Sequence, residues 1–90
     1  MSATTIHFVR HGKVYNPDHL LYERLPDFHL SDLGRRMAQA TAAYLANSPQ
    51  TNTISAVYSS PLDRTRETAD AILDALNPVR EARGEAPLML

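Results

Sequence analysis

The sequence has no cysteine, no tryptophan, only 3 glycines, and no excess of charge of either sign. Without cysteine there can be no disulfide, no thiolate nucleophile and no cysteine-ligated zinc, so packing alone must hold the chain. That absence fits an intracellular setting. The balance of 9 Lys and Arg against 10 Asp and Glu, a formal net charge of −1, offers no broad basic surface for nucleic acid or anionic lipid. Any anion site must therefore be local. No secretory signal or membrane span is read either, because the apolar start at Ile6, Phe8 and Val9 is broken at once by Arg10 and His11. A cytoplasmic protein is expected, with no nucleic-acid or membrane partner. Ninety residues make one small domain or less. A chain of that size buries roughly 60 to 70% of its unfolded surface, which leaves little surplus stability.

What is present is a set of locally punctuated segments. Residues 4–10 (TTIHFVR) are β-branched and apolar and predict a strand that runs into a turn at Gly12. The following stretch to Leu30 carries Asn16, Pro17, Asp18, Pro26 and Asp27 and predicts a long loop, of the kind that often carries function. Ser31 offers an N-cap to a helix from Asp32 to about Asn47, with Leu33, Met37, Ala40, Tyr44 and Leu45 as its apolar stripe and Arg35, Arg36 and Gln39 on the wet side. Gly34, in the first turn, leaves room for a close approach by the sheet or loop. Residues 54–59 (ISAVYS) predict a second strand. Ser60, Pro61 and Asp63 then signal a second helix, with a stripe of Leu62, Ala69, Ile72, Leu73 and Leu76 and a stop at Pro78. The apolar end, Pro87 to Leu90, reads as a partial third strand. This order predicts the α/β class, with right-handed βαβ units and a mostly parallel sheet between helices.

In such sheets ligands bind beyond the carboxyl ends of the strands, where two groups of unusual residues lie. Arg10, His11 and Gly12 follow the first strand; Ser59, Ser60, Pro61 and Arg64 follow the second. Two guanidinium forks can hold a phosphoryl group through charge-assisted bonds, helped by backbone donors at a helix start. A neutral imidazole at His11 can attack phosphorus and form a covalent intermediate that water later opens. The arginines would spread the charge of the transferring group.

VRHG (9–12), LSDLGRRMA (30–38) and YSSPLDRTRETA (58–69) together resemble the histidine phosphatase superfamily, also called the phosphoglycerate mutase-like family. The resemblance implies a three-layer α/β/α domain that uses no metal and no other cofactor. It makes His11 the residue transiently phosphorylated, with Arg10 and Arg64 on the phosphoryl oxygens and Asn16 as the candidate for a further phosphate contact. Two departures bear on Asn16: Lys13 stands where the family has Glu or Gln, and Asn16 lies one position early. The family's second pocket histidine and its proton-donating carboxylate have no match, and Glu81 and Glu85 sit in no matching motif. Residues 1–90 are thus expected to be the amino-terminal part of one such domain, a βαβα(β) half, with the resemblance covering most of residues 4–77.

Each of these residues also has a plainer reading. Arg10 and His11 could be a polar strand end, and Arg64 a solvated helix residue paired with Asp63 or Glu67, worth about 0.3 to 0.5 kcal/mol. Ser59 and Ser60 are read as cap and turn residues, since no base stands near them in sequence. His7 is expected to pack under the helices, while His19, His29, Tyr15, Tyr22 and Arg24 belong to the loop, where they either meet substrate or anchor it. The histidine spacing matches no familiar metal-ligand pattern. The favoured function is a phosphomonoester hydrolase acting on a phosphorylated small molecule. Hydrolase is preferred to mutase because the loop lacks the mutase-like aromatic and glycine pattern. The alternative is a catalytically incomplete phosphate-binding or interaction module, and self-association into a homo-oligomer is left open.

Overall fold

Ser31 begins the first helix as its sequence predicts: in a computed structural model its hydroxyl oxygen accepts the Gly34 N–H at 3.1 Å. Residues 5–18 and 28–90 are described in this structure. Among them are two helices, α1 (Asp32–Asn47) and α2 (Asp63–Ala82). Asp32 lies in the first turn of α1, where the helix dipole favours a carboxylate. The helix ends where the Ser48 N–H returns to the Tyr44 carbonyl at 3.0 Å and Pro49 follows. Buried Thr51 then closes the turn by donating its hydroxyl to the Leu45 carbonyl at 2.7 Å.

α2 starts two residues later than Ser60 and Pro61 suggest. Its N-cap is Leu62, with no side-chain cap bond, and the Leu62 carbonyl accepts the N–H groups of Thr65 and Arg66. Ser60 is drawn aside: its hydroxyl lies 2.6 Å from that of Thr65. The helix also continues past Pro78, which lies inside it. What stops it is Gly84, at φ +79, whose N–H bonds the Glu81 carbonyl while the Glu85 N–H bonds the Arg80 carbonyl. Those two bonds make a Schellman end, which needs a left-handed residue just past the helix. Val79, beyond the proline, packs on the core, and the Arg80 side chain reaches the carbonyls of Ile54 and Ala86. These contacts hold the last turn against the hydrogen bond that proline cannot make.

The core lies between the two helices. Ala42, Leu45 and Ala46 of α1 meet Ile72 and Leu76 of α2, with Ile54, Val57, Ala71, Ala75 and Val79 packed around them. Ala69, Ile72, Leu73 and Leu76 of the expected α2 stripe are buried, while Leu62 is the half-buried N-cap, and the α1 stripe is not as the sequence predicts. α1 buries Gly34, Ala38, Ala42, Leu45 and Ala46, and it leaves Leu33, Met37 and Tyr44 exposed. Small residues face the partner helix because they let the two backbones approach.

The α/β class with a three-layer α/β/α arrangement and a mostly parallel sheet is overturned, and with it the βαβα(β) order. No strand occurs among the described residues, which hold only one isolated antiparallel bridge, Val14 with Leu30. No backbone hydrogen bond joins described residues of 5–10 to 54–59, and none gives 87–90 a strand partner. The physical reason is coverage. Parallel sheets need apolar faces buried on both sides; here the buried faces of the two helices pack on each other, while Leu33, Met37 and Tyr44 of α1 stay exposed instead of covering a sheet. Ile6, Phe8 and Tyr58 are consequently exposed, Phe8 and Tyr58 at 93% and 92%. His7, expected under the helices, is exposed as well. The loop readings at His19, Tyr22 and Arg24 lie outside the described residues.

Candidate active site

The segment that follows His11 is seated on the start of α1 by an exchange of small residues and hydrogen bonds. A Cβ on Gly12 would meet the Gly34 carbonyl oxygen at 2.9 Å, and one on Gly34 would meet the Lys13 carbonyl oxygen at 2.0 Å. Neither position has room for a side chain. The Lys13 carbonyl in turn accepts both the backbone N–H of Ser31 (2.8 Å) and its hydroxyl (2.9 Å). One residue thus caps α1 and clasps the turn after His11. Two residues on, the Tyr15 N–H bonds the His29 carbonyl at 2.9 Å beside the Val14 and Leu30 bridge, so both arms of the loop are joined at its base.

His11 is half-buried, and its Nδ1 lies 2.9 Å from the Gly12 carbonyl oxygen. A carbonyl can only accept, so this contact places the proton on Nδ1. In the neutral ring Nε2 then carries the lone pair, which is the form a nucleophile requires. Arg10 beside it is exposed, and Asn16 is half-buried.

Arg64 lies in the first turns of α2, and burial is its distinguishing property. The residue is only 2% exposed, with its Nε shielded from solvent. Thr68, one turn on and also buried, donates its hydroxyl to the Arg64 carbonyl at 2.9 Å. Arg64 is therefore not the solvated helix residue of the plainer reading. Nor does Glu67 turn toward it.

Glu67 instead joins α2 to the base of the loop and to α1. Its Oε1 accepts the Leu30 N–H at 3.1 Å and lies 3.0 Å from His29 Nδ1, while its Oε2 takes Nε and Nη2 of Arg35, both at 3.1 Å. His29 also lies 3.6 Å from Asp63. The structure thus links the two motif regions through α1: Lys13 to Ser31, and Leu30 and Arg35 to Glu67, one helical turn from Arg64. Sequence reasoning missed this role for Glu67, because its partners stand 32 to 38 residues away. The only local sign was a carboxylate inside RTRETA.

The crevice expected at strand ends is not formed by a sheet, so the link between the motifs runs through these contacts. A cavity of about 500 Å³ lies elsewhere, between α2 and the chain end, lined by Arg66, Asp70, Asn77 and Leu88 among others. Among the described residues no group of three or more His, Asp or Glu that could hold a metal ion gathers. Among those residues, no helix is long and apolar enough to cross a membrane.

Comparison with known proteins agrees with the motifs. Over 69 residues the chain is 51% identical to the uncharacterized protein Rv0525 of Mycobacterium tuberculosis (strain ATCC 25618 / H37Rv). It has the same identity, over the same length, to the uncharacterized protein MT0547 of strain CDC 1551 / Oshkosh. The match covers 77% of this chain but 32% of each relative, so it spans about a third of their length. No solved structure matches. The model of the histidine phosphatase superfamily (branch 1) matches residues 6–86, a span that takes in Arg10, His11, Asn16 and Arg64. On that match, the chain belongs to the histidine phosphatase superfamily.

Proposed function

We propose that the protein is a phosphomonoester hydrolase that works through a phosphohistidine on His11, with Arg10, Arg64 and Asn16 binding the phosphoryl group. One observation carries this reading: the turn holding His11 and the helix turn next to Arg64 are tied to the same helix start by the Lys13, Ser31, Leu30 and Glu67 hydrogen bonds. Family membership supports phosphatase or mutase-like chemistry. Hydrolysis is favoured over transfer because the loop after RHG lacks the mutase-like pattern.

In the first step the lone pair on His11 Nε2 attacks phosphorus. A P–N bond forms, the bond from phosphorus to the alcohol oxygen breaks, and the departing oxygen takes a proton from water. In the second step a water oxygen attacks phosphorus and the P–N bond breaks. Inorganic phosphate leaves, the water's surplus proton goes to solvent, and neutral His11 is restored. The Nδ1 contact with Gly12 holds the ring through both steps. Guanidinium groups on the phosphoryl oxygens stabilise the charge that spreads over them in the transition state.

Arg64 is suited to that task. A bond between a guanidinium and a phosphate oxygen is stronger where water is excluded, and Arg64 is buried. The second reading, a phosphate-binding module without turnover, rests on the lack of an assigned proton donor. Phosphate release from an aryl phosphate, compared with the His11→Ala variant at equal folded fraction, separates the two. Hydrolysis requires turnover that the variant loses, together with a phosphate adduct on His11 in the wild type. Phosphate binding with no turnover would instead establish the binding module.

A further inference from the structure

We propose that Glu67 is the positioning residue that sets His11 against Arg64, a proposal that rests on the phosphohistidine reading. An ionised carboxylate has about four lone-pair sites and no proton to give. At Glu67 each oxygen meets two nitrogen donors, Leu30 N and His29 Nδ1 on Oε1 and the Arg35 Nε and Nη2 pair on Oε2. The acceptor capacity is filled, and three chain segments are fixed by one side chain. Because that side chain is only 23% exposed, water competes poorly for these bonds.

Each of the segments has a defined place. Leu30 is the residue before the N-cap Ser31, and Ser31 holds the Lys13 carbonyl through both its backbone N–H and its hydroxyl. Arg35 is in the first turns of α1, beside Gly34, which seats Gly12 and Lys13. Glu67 itself stands three residues after Arg64 on α2. A displacement at Glu67 would thus move the His11 turn relative to Arg64 without touching either residue. A shift of about 1 Å is enough to cost roughly 100-fold in rate where reacting groups must be aligned.

Glutamine tests the idea sharply, because its amide has one accepting oxygen and one donating nitrogen. In either orientation the NH₂ group faces at least one fixed donor, either the Leu30 N–H or the Arg35 fork. Shape is kept, but either both bonds of the Arg35 fork are lost or the Leu30 bond is lost and His29 must change tautomer to accept from the amide. Inorganic phosphate is titrated into the wild type, Glu67→Gln and Arg35→Gln, with the His11 ring and Arg64 guanidinium followed by NMR and helix content checked by circular dichroism. The expected result is one shared midpoint in the wild type. In Glu67→Gln the His11 response should separate from that of Arg64, with its midpoint raised at least about 10-fold and kcat on an aryl phosphate lowered by about 100-fold.

A folded Glu67→Gln that keeps the shared midpoint and the wild-type kcat overturns the positioning role while leaving the phosphohistidine reading intact. A wild type in which phosphate perturbs neither residue overturns both. If Glu67→Gln fails to fold, Arg35→Gln decides: its side chain is half exposed, it removes the fork alone, and unchanged midpoints there overturn the proposal.

Discussion

Gly34 lies so close to Lys13 that a Cβ on it would stand 2.0 Å from the Lys13 carbonyl oxygen. The obstructing atom is backbone, already fixed by two hydrogen bonds from Ser31, and it cannot swing aside as a side-chain tip would. Gly34→Ala sets two effects against each other. Helix propensity favours alanine by about 1 kcal/mol, while forcing an extra carbon into a packed contact costs about 1 to 3 kcal/mol and sometimes more. At 2.0 Å the clash wins. The variant should lose about 2 kcal/mol of stability, read as a lower urea midpoint at unchanged slope. A midpoint equal to or above the wild type would show that the His11 turn yields freely.

The end of α2 supplies a pair of opposed substitutions. Pro78 cannot donate to the Asp74 carbonyl, so Pro78→Ala adds that bond and relieves the ring's crowding of the preceding turn. A gain of about 1 to 3 kcal/mol is expected, reduced somewhat by the greater freedom of the unfolded alanine chain. Gly84→Ala goes the other way, because φ +79 costs an L-residue about 1 kcal/mol even though the space around it is open. Thermal melts of the two variants should move in opposite directions. A Gly84→Ala melt at or above that of the wild type would mean that the helix end is not held by the glycine, and a lower melt for Pro78→Ala that the ring is not strained there.

These elements also mark what the sequence could convey. The start of α1 was legible to the residue and its end approximately, because the signals are local: Ser31 and Asp32 at one end and Pro49 beyond the other. The stop of α2 was also written locally, in Gly84 after Arg83, but Pro78 gives the louder signal. The buried face of α1 was not legible. Leu33, Met37 and Tyr44 match a helical stripe as well as Ala38, Ala42 and Ala46 do, and the packing of α2 decides between them. The strands failed for a similar reason, since residues 4–10 and 54–59 have strand composition but pairing depends on distant chain. The motifs around Arg10, His11 and Arg64, on which the proposed site rests, could be read in the sequence, and the family match takes in all three. The scaffold of that site could not, because Glu67 finds its partners across the loop.

Arg64 offers a test of recognition separate from that of chemistry. Arg64→Lys keeps the positive charge but loses the planar fork, and Arg64→Met loses both. A hydrogen bond to a charged group contributes about 1.5 to 3 kcal/mol, so phosphate affinity should fall roughly 10-fold to 100-fold in Arg64→Met and by less in Arg64→Lys. Calorimetric titration of inorganic phosphate into each folded variant measures this. Equal affinities in all three proteins would remove Arg64 from the anion site.

Phe8 and Tyr58 are 93% and 92% exposed, so the native packing of the chain owes them almost nothing. Large apolar side chains left in water favour association, and these two lie on segments with no backbone pairing between them. A protein carrying both Phe8→Ser and Tyr58→Ser should therefore keep its denaturation midpoint, within about 0.5 kcal/mol, while its tendency to self-associate falls. Sedimentation over a range of concentrations compares the two proteins directly. A monomeric wild type at all concentrations would argue against association through these rings. A variant that unfolds would argue instead that the two rings are packed in solution, because removing a truly exposed ring deletes no buried contact and leaves no cavity behind.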